Sequence, residues 1–173
     1  MEYQVVVCAY DESWPQEFAQ EAQRLREVLG ENCLEIHHIG STAVPGLAAK
    51  PIIDFMPVVR ELEEVDRRAS ALEELGYEYL GEFGIPGRRY LRKGGFRHTH
   101  HLHIFSTFNK AAIERHLAVR EYLRANLEAA LEYAQLKLEA AKIYHDYQSY
   151  SQAKDEYVRA LERRALEWRA QRP

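Results

Sequence analysis

Residues 38–54 read His-Ile-Gly-Ser-Thr-Ala-Val-Pro-Gly-Leu-Ala-Ala-Lys-Pro-Ile-Ile-Asp, and they hold the residue types best suited to chemistry in this chain. Gly40 and Ser41 end an apolar, strand-like run. A glycine there lets the backbone come close to a phosphate, and the serine adds a hydroxyl. A helix starting at that turn directs free amide groups and its dipole at the same anion. Asp54 lies in the next apolar run, between Ile53 and Phe55. A carboxylate buried there needs a metal, a base or a hydrogen-bond donor. Lys50 precedes Pro51 at the mouth of that run, where a cation suits phosphate oxygens. A phosphate cradle followed by a carboxylate for a divalent cation is the layout of a nucleotidyl-transfer site. The plainer alternatives are Asp54 paired with Arg89 or Lys50, and Ser41 acting only as a helix cap.

Further along, Thr99-His100-His101-Leu102-His103-Ile104 concentrates imidazoles on a strand. Alternation puts His101 and His103 on one face and His98 and His100 on the other. Two histidines at this spacing can ligate one ion, line a polar pocket, or serve as general acid and base in phosphoester chemistry. Arg89 and Lys93 share a face within the run Arg-Arg-Tyr-Leu-Arg-Lys and can meet one anion together, or belong to a solvated basic face. Tyr150 and Lys154 lie four apart on one helix face and can close over a base or phosphate. Packing between helices is the competing role for Tyr144, Tyr147, Tyr150 and Tyr157.

The elements that must position these residues follow from periodicity. An extended arm or strand is expected over 3–10, and a helix capped by Ser13, with Pro15 in its first turn and Gly30 as its stop. Strands are expected over 33–39, 51–59, 77–83, 88–93 and 98–105, with a Gly94-Gly95 turn between the last two. A helix over 61–75 separates the second and third strands. From Lys110 onward, three helical stretches divide near Asn126 and at 146–149. One domain with two lobes results, a mixed sheet with helices over 1–108 and a helical lobe over 109–173.

Composition removes several functions. The chain has 173 residues, 46% apolar and 29% charged, which suits one soluble domain with a sizeable core. Net charge is −4, with both signs interspersed, so bulk nucleic-acid binding is not expected. No run approaches the ~20 apolar residues of a membrane helix, and no basic-then-apolar leader opens the sequence. A cytoplasmic location is the expectation. Cys8 and Cys33, lacking CxxC spacing, are expected to be buried free thiols.

The run 36–54, together with Tyr10-Asp11-Glu12-Ser13-Trp14-Pro15, the His-rich strand, Arg120-Glu121-Tyr122-Leu123-Arg124 and Tyr150-Ser151-Gln152-Ala153-Lys154, resembles the GrpB family. That group is placed in the nucleotidyltransferase (polymerase-β-like) superfamily, and the likeness spans nearly the whole chain. It implies an α+β fold, a nucleotidyltransferase-like mixed sheet flanked by helices with a C-terminal helical lobe. It also implies a nucleotide or phosphorylated small molecule as ligand and a divalent metal, Mg²⁺ or Mn²⁺, with Zn²⁺ or Ni²⁺ as alternatives. By the same likeness, Asp54, His101, His103 and Lys50 are the catalytic candidates. Asp54, His101, His103 and His38 are the metal candidates, with His38 preferred to His37 on the motif. Gly40, Ser41, Arg89, Lys93 and Lys154 are the phosphate candidates. The superfamily pattern places a second carboxylate two residues after the first, and this chain has Met56 there. Two readings follow: a metal-dependent transferase of reduced, one-metal chemistry, or a regulatory module that binds a nucleotide, phosphate or metal without turnover. The family's occasional fusion to dephospho-CoA kinase implies a link to coenzyme A metabolism for the second.

Overall fold

The computed structural model describes residues 5–172. Its strands are β1 (Cys33–Ile39), β2 (Ile53–Val59), β3 (Tyr77–Tyr79), β4 (Arg88–Lys93) and β5 (His100–Ser106). Its helices are α1 (Trp14–Leu29), α2 (Leu62–Arg67), α3 (Ala69–Glu74), α4 (Lys110–Ala125), α5 (Leu127–Ile143) and α6 (Tyr147–Ala170). The described chain forms two units. One comprises Ser13–Ile39 and Ile52–Ile113 and holds the sheet. The other holds the described part of Met1–Glu12, Gly40–Pro51 and Glu114–Pro173. The Gly40-Ser41 turn therefore groups with the C-terminal helices, and the change of unit comes at Ile113.

In the sheet unit the strand order is β1-β2-β5-β4-β3. β2 and β5 run parallel, and every other pair is antiparallel. β2, an interior strand between β1 and β5, is apolar on both faces except at Asp54, and Phe55, Met56 and Val59 are fully buried. α1 forms because Trp14, Ala22, Leu25 and Leu29 recur at helical spacing and bury one stripe. Its stop is Gly30 at φ 60°, a left-handed conformation that disfavours a side chain. Ser13 does not cap through a backbone bond; its hydroxyl donates to Glu17 Oε1 at 2.7 Å.

Some boundaries differ from the sequence expectation, among them that of β2, which starts at Ile53 rather than Pro51. The helix over 61–75 breaks at Arg68 (φ −99°, ψ 8°), whose guanidinium turns back onto the Glu64 carbonyl at 3.1 Å and its carboxylate at 2.6 Å. The strand over 77–83 ends at Tyr79, because Gly81, Phe83, Gly84 and Gly87 all take positive φ and turn the chain. The strand expected from residue 98 starts at His100, so alternation does not extend to His98.

In the helical unit, Val44, Leu47, Leu123, Ala129, Ala130 and Leu161 form a buried cluster. Two side chains hold the 40–51 segment to the helices: Arg124 Nε donates to the Ala43 carbonyl at 2.9 Å, and Lys137 Nζ donates to that of Ala48. Of the arm expected over 3–10, residues 3 and 4 lie outside the described residues. The remainder is extended, with a single bridge between Cys8 and Ala49. Both cysteines are free and half-buried rather than fully buried.

Candidate metal centre

Parallel pairing of β2 with β5 sets Asp54 beside His101, and alternation brings His103 to the same face. His103 Nε2 lies 3.1 Å from Asp54 Oδ1, and His101 Nδ1 lies 3.6 Å from the same oxygen. One ligand atom from each residue falls within 4.8 Å of the others. Among the described residues these three form the only such group of metal-ligating side chains. Burial pushes the Asp54 carboxyl up, but hydrogen bonds from His101 and His103 outweigh it. They hold the group well below the usual carboxylate range. Asp54 is therefore ionised, as a metal ligand must be.

The neighbouring strand adds a rim that sequence reasoning did not single out. β4 pairs Tyr90 with His103 and Arg92 with His101, so Arg88, Tyr90 and Arg92 share the histidine face. The Tyr90 ring sits 5.5 Å from His101 and 5.4 Å from His103, and the Arg88 guanidinium lies 4.8 Å over it. Arg88 donates to the Phe83 carbonyl at 2.8 Å and reaches His103 Nδ1 at 3.4 Å. The legible signal was alternation at 88, 90 and 92 facing alternation at 101 and 103. His98 also belongs here: its Nδ1 is 3.4 Å from His101 Nε2, contrary to the expectation that it points away.

His38 does not join the cluster. Antiparallel pairing sets Ile39 opposite Asp54 and His38 opposite Phe55, which puts His38 on the other face of the sheet. There it stacks on Phe18 at 4.7 Å and is nearly buried. His37, opposite Met56, shares the Asp54 face and bonds to Glu35 at 2.7 Å.

Arg89 and Lys93 do not reach one anion together. Arg89 makes a two-pronged pair with Asp66, at 2.6 and 3.0 Å. Lys93 bonds to Glu21 Oε1 at 2.8 Å, and Tyr77 donates to the same oxygen at 2.9 Å. Asp54 is thus paired with the two histidines and not with Arg89.

Gly40, Ser41, Lys50 and Lys154 all lie in the helical unit. Gly40 takes φ 72°, ψ −172°, which suits only glycine, and turns the chain into a single 3-10 turn, Ser41–Ala43. No α-helix begins there, so the helix-dipole contribution expected at Ser41 is absent. Lys50 and Lys154 both lie against aromatic rings, Lys50 over Tyr147 at 4.2 Å and Lys154 over Tyr150 at 4.2 Å. Lys137, which sequence reasoning passed over, is buried beside them. Its signal was a lysine on the stripe Ala130, Tyr133, Ala134, Lys137, Ala140, Ala141.

The donor set tests which ion these residues suit. Mg²⁺ wants an octahedron of oxygens, whereas Asp54, His101 and His103 offer one carboxylate and two imidazoles. Met56, on the Asp54 face and fully buried, supplies none of the missing oxygen. Two histidines with one carboxylate fit Zn²⁺, Ni²⁺, Mn²⁺ or another transition ion.

A mixed sheet in this order with C-terminal helices defines a nucleotidyltransferase-like fold. Cid1, in complex with its short product ApU, matches with a TM-score of 0.53 at 18% identity, over 79% of this chain and 43% of that one. A cytoplasmic RNA terminal U-transferase gives 0.54 at 19%, over 78% and 42%. At such identities the likeness is one of fold. Within that fold the chain belongs to the GrpB protein family, whose model matches residues 4–164. The crystal structure of conserved protein GrpB from Enterococcus faecalis matches with a TM-score of 0.93 at 47% identity, over 96% of this chain and all of that one. UPF0157 protein YqkA of Bacillus subtilis is 45% identical over 166 residues, 95% of this chain. The chain spans 48% of YqkA's length. A shorter segment is 38% identical over 73 residues to dephospho-CoA kinase of Mycobacterium tuberculosis, 40% of this chain and 18% of that protein. No helix among the described residues is long and apolar enough to cross a membrane.

Proposed function

We propose that this chain binds a nucleotide or another phosphorylated small molecule and acts on its phosphate with one divalent transition metal held by Asp54, His101 and His103. The observation that carries this reading is the convergence of those three side chains on one sheet face, with ligand atoms within 4.8 Å. The nucleotidyltransferase-like fold supports a nucleotide-related role. In this reading the bound ion supplies charge neutralisation at a phosphoryl oxygen. Asp54 provides the fixed negative charge, His101 and His103 the nitrogen donors, and Tyr90 an apolar wall that limits water around them. Gly40, Ser41, Lys50 and Lys154 belong to the other unit and stand as phosphate-binding candidates there, independent of the metal centre. Arg89 and Lys93, engaged with Asp66 and Glu21, hold the sheet unit together and are left out of the phosphate set.

A second reading has its own observation. Met56 in place of a second carboxylate favours a module that binds the ligand without transferring it. The partial match to dephospho-CoA kinase makes coenzyme A-related nucleotides the first ligands to screen.

Thermal melts separate the readings. Protein loaded with Mn²⁺ or Zn²⁺ is melted with nucleoside triphosphates, dephospho-coenzyme A and phosphosugars. A true ligand stabilises by about 2.7 kcal/mol at a hundredfold excess over its dissociation constant. Product formed with the stabilising ligand supports the transferase, and stabilisation without product supports the module. Indifference of the melt to every metal and ligand pair overturns both.

A further inference from the structure

Three lysines from three segments of the helical unit converge on a set of tyrosines. Lys50 comes from the 40–51 segment, Lys137 from α5 and Lys154 from α6. The ammonium groups of Lys50 and Lys154 both lie within 5.3 Å of the Tyr150 ring centre, and Lys137 Nζ sits 4.5 Å over Tyr133. Lys137 is 2% exposed, makes no ion pair among the described residues, and gives one hydrogen bond, to the Ala48 carbonyl. Tyr150 is fully buried, and its hydroxyl has no hydrogen-bond partner among the described residues. A buried ammonium with two like charges nearby is costly, and so is an orphaned hydroxyl. An anion with several oxygens answers both: it offsets the charge and accepts from the amines and the phenol.

We propose that Lys50, Lys137, Lys154 and the Tyr150 hydroxyl form a binding site for an oligophosphate, and that Lys137 takes up a proton as the anion binds. This deepens the phosphate role assigned to Lys50 and Lys154 and rests on that reading. Among the described residues, the groups shown to act on Lys137 are Tyr133 on its own helix, Lys154 on α6 and Lys50 from the 40–51 segment. None of these three is a carboxylate. Burial first, then Lys154 and Lys50, push the Lys137 amine down to about 7. Without an anion it is therefore largely neutral at pH 8. An oligophosphate restores the charged form and the third ammonium.

The test is calorimetric titration of the full chain with sodium tripolyphosphate, with chelator present and no metal or nucleotide. At pH 8, runs in HEPES and Tris should show wild type taking up close to one proton more per anion bound than Lys137→Arg, whose side chain is charged at every pH used; the anion's own change of protonation is common to both. At pH 6 the two proteins should bind and exchange protons almost alike. Lys137→Met should bind at least tenfold more weakly. Absence of binding by the wild-type chain overturns the proposal without any variant being needed. Binding with equal proton exchange in wild type and Lys137→Arg at pH 8 also overturns it. Because the probe carries no base and no metal, these failures leave the Asp54 centre untouched.

Discussion

Arg88 Nη1 lies 3.4 Å from His103 Nδ1, while His103 Nε2 faces Asp54 Oδ1 at 3.1 Å, so a guanidinium and a carboxylate address the two nitrogens of one ring. Arginine only donates, so His103 Nδ1 accepts and the ring proton sits on Nε2, toward Asp54. A metal at Nε2 requires the opposite tautomer. Metal-ligating histidines ordinarily donate their second nitrogen to an acceptor, and Arg88 offers none. Arg88→Met should therefore raise transition-metal affinity about tenfold, the low end of such outer-shell effects. Competition with a chromogenic chelator measures it. Equal or weaker binding would refute the role assigned to Arg88.

His38 provides a control on the other face of the sheet. Because it stacks on Phe18 rather than facing Asp54, His38→Ala should leave metal content unchanged. The variant should lose about 1–3 kcal/mol of stability through lost packing. Chemical denaturation beside metal analysis checks both halves, and loss of metal would return His38 to the site.

The registers explain what the sequence revealed and what it hid. Asp54 was legible because a carboxylate interrupts the apolar run of β2. His101 and His103 were legible because spacing by two fixes a shared strand face. Which face of β1 looks toward Asp54 was not legible. That depends on the pairing of Ile39 with Asp54, including an irregularity between Cys33 and Glu35, and no single strand encodes its partner's register. Arg89 and Lys93 were misjudged for a similar reason: their counter-charges, Asp66 and Glu21, lie in helices far away in sequence. Lys137 escaped notice because its burial comes from the 40–51 segment, and Lys on a helix is ordinarily solvated. The three C-terminal helices, set by local composition and by breaks at Asn126 and Asp146, were the most directly readable part of the fold.

Glu21 should control the acid stability of the sheet unit. Burial raises its carboxyl, but hydrogen bonds from Lys93 and Tyr77 outweigh that and hold it below its ordinary value of 4.5. A carboxyl lowered in the folded state contributes stability above the unfolded value and loses it as pH falls through the folded one. Glu21→Gln should cost about 3 kcal/mol at pH 7, since it leaves Lys93 without its counter-charge. The gap between variant and wild type should narrow below pH 4.5. Urea melts at pH 3 to 7 test this, and a constant gap would contradict it.

Lys137 also makes stability rise with pH, but by relief of a penalty rather than by gain of a contribution. Its folded value of about 7 lies below the ordinary 10.5, so between these limits the unfolded chain binds more protons and stability rises with pH. The penalty is complete below about pH 7 and is relieved as pH climbs toward 10.5. Wild type should therefore gain stability relative to Lys137→Met between pH 7 and 10, read from paired denaturant melts. A difference that does not change with pH would show that Lys137 keeps an ordinary amine.

The most direct test of the central claim is metal content by inductively coupled plasma mass spectrometry on untagged protein. Wild type is compared with Asp54→Asn and His101→Ala, and circular dichroism verifies the fold. About one equivalent of a transition metal in wild type, lost in both variants, is the predicted result. Wild-type protein that carries no metal, and takes up none when incubated with Zn²⁺, Mn²⁺ or Ni²⁺, would contradict it.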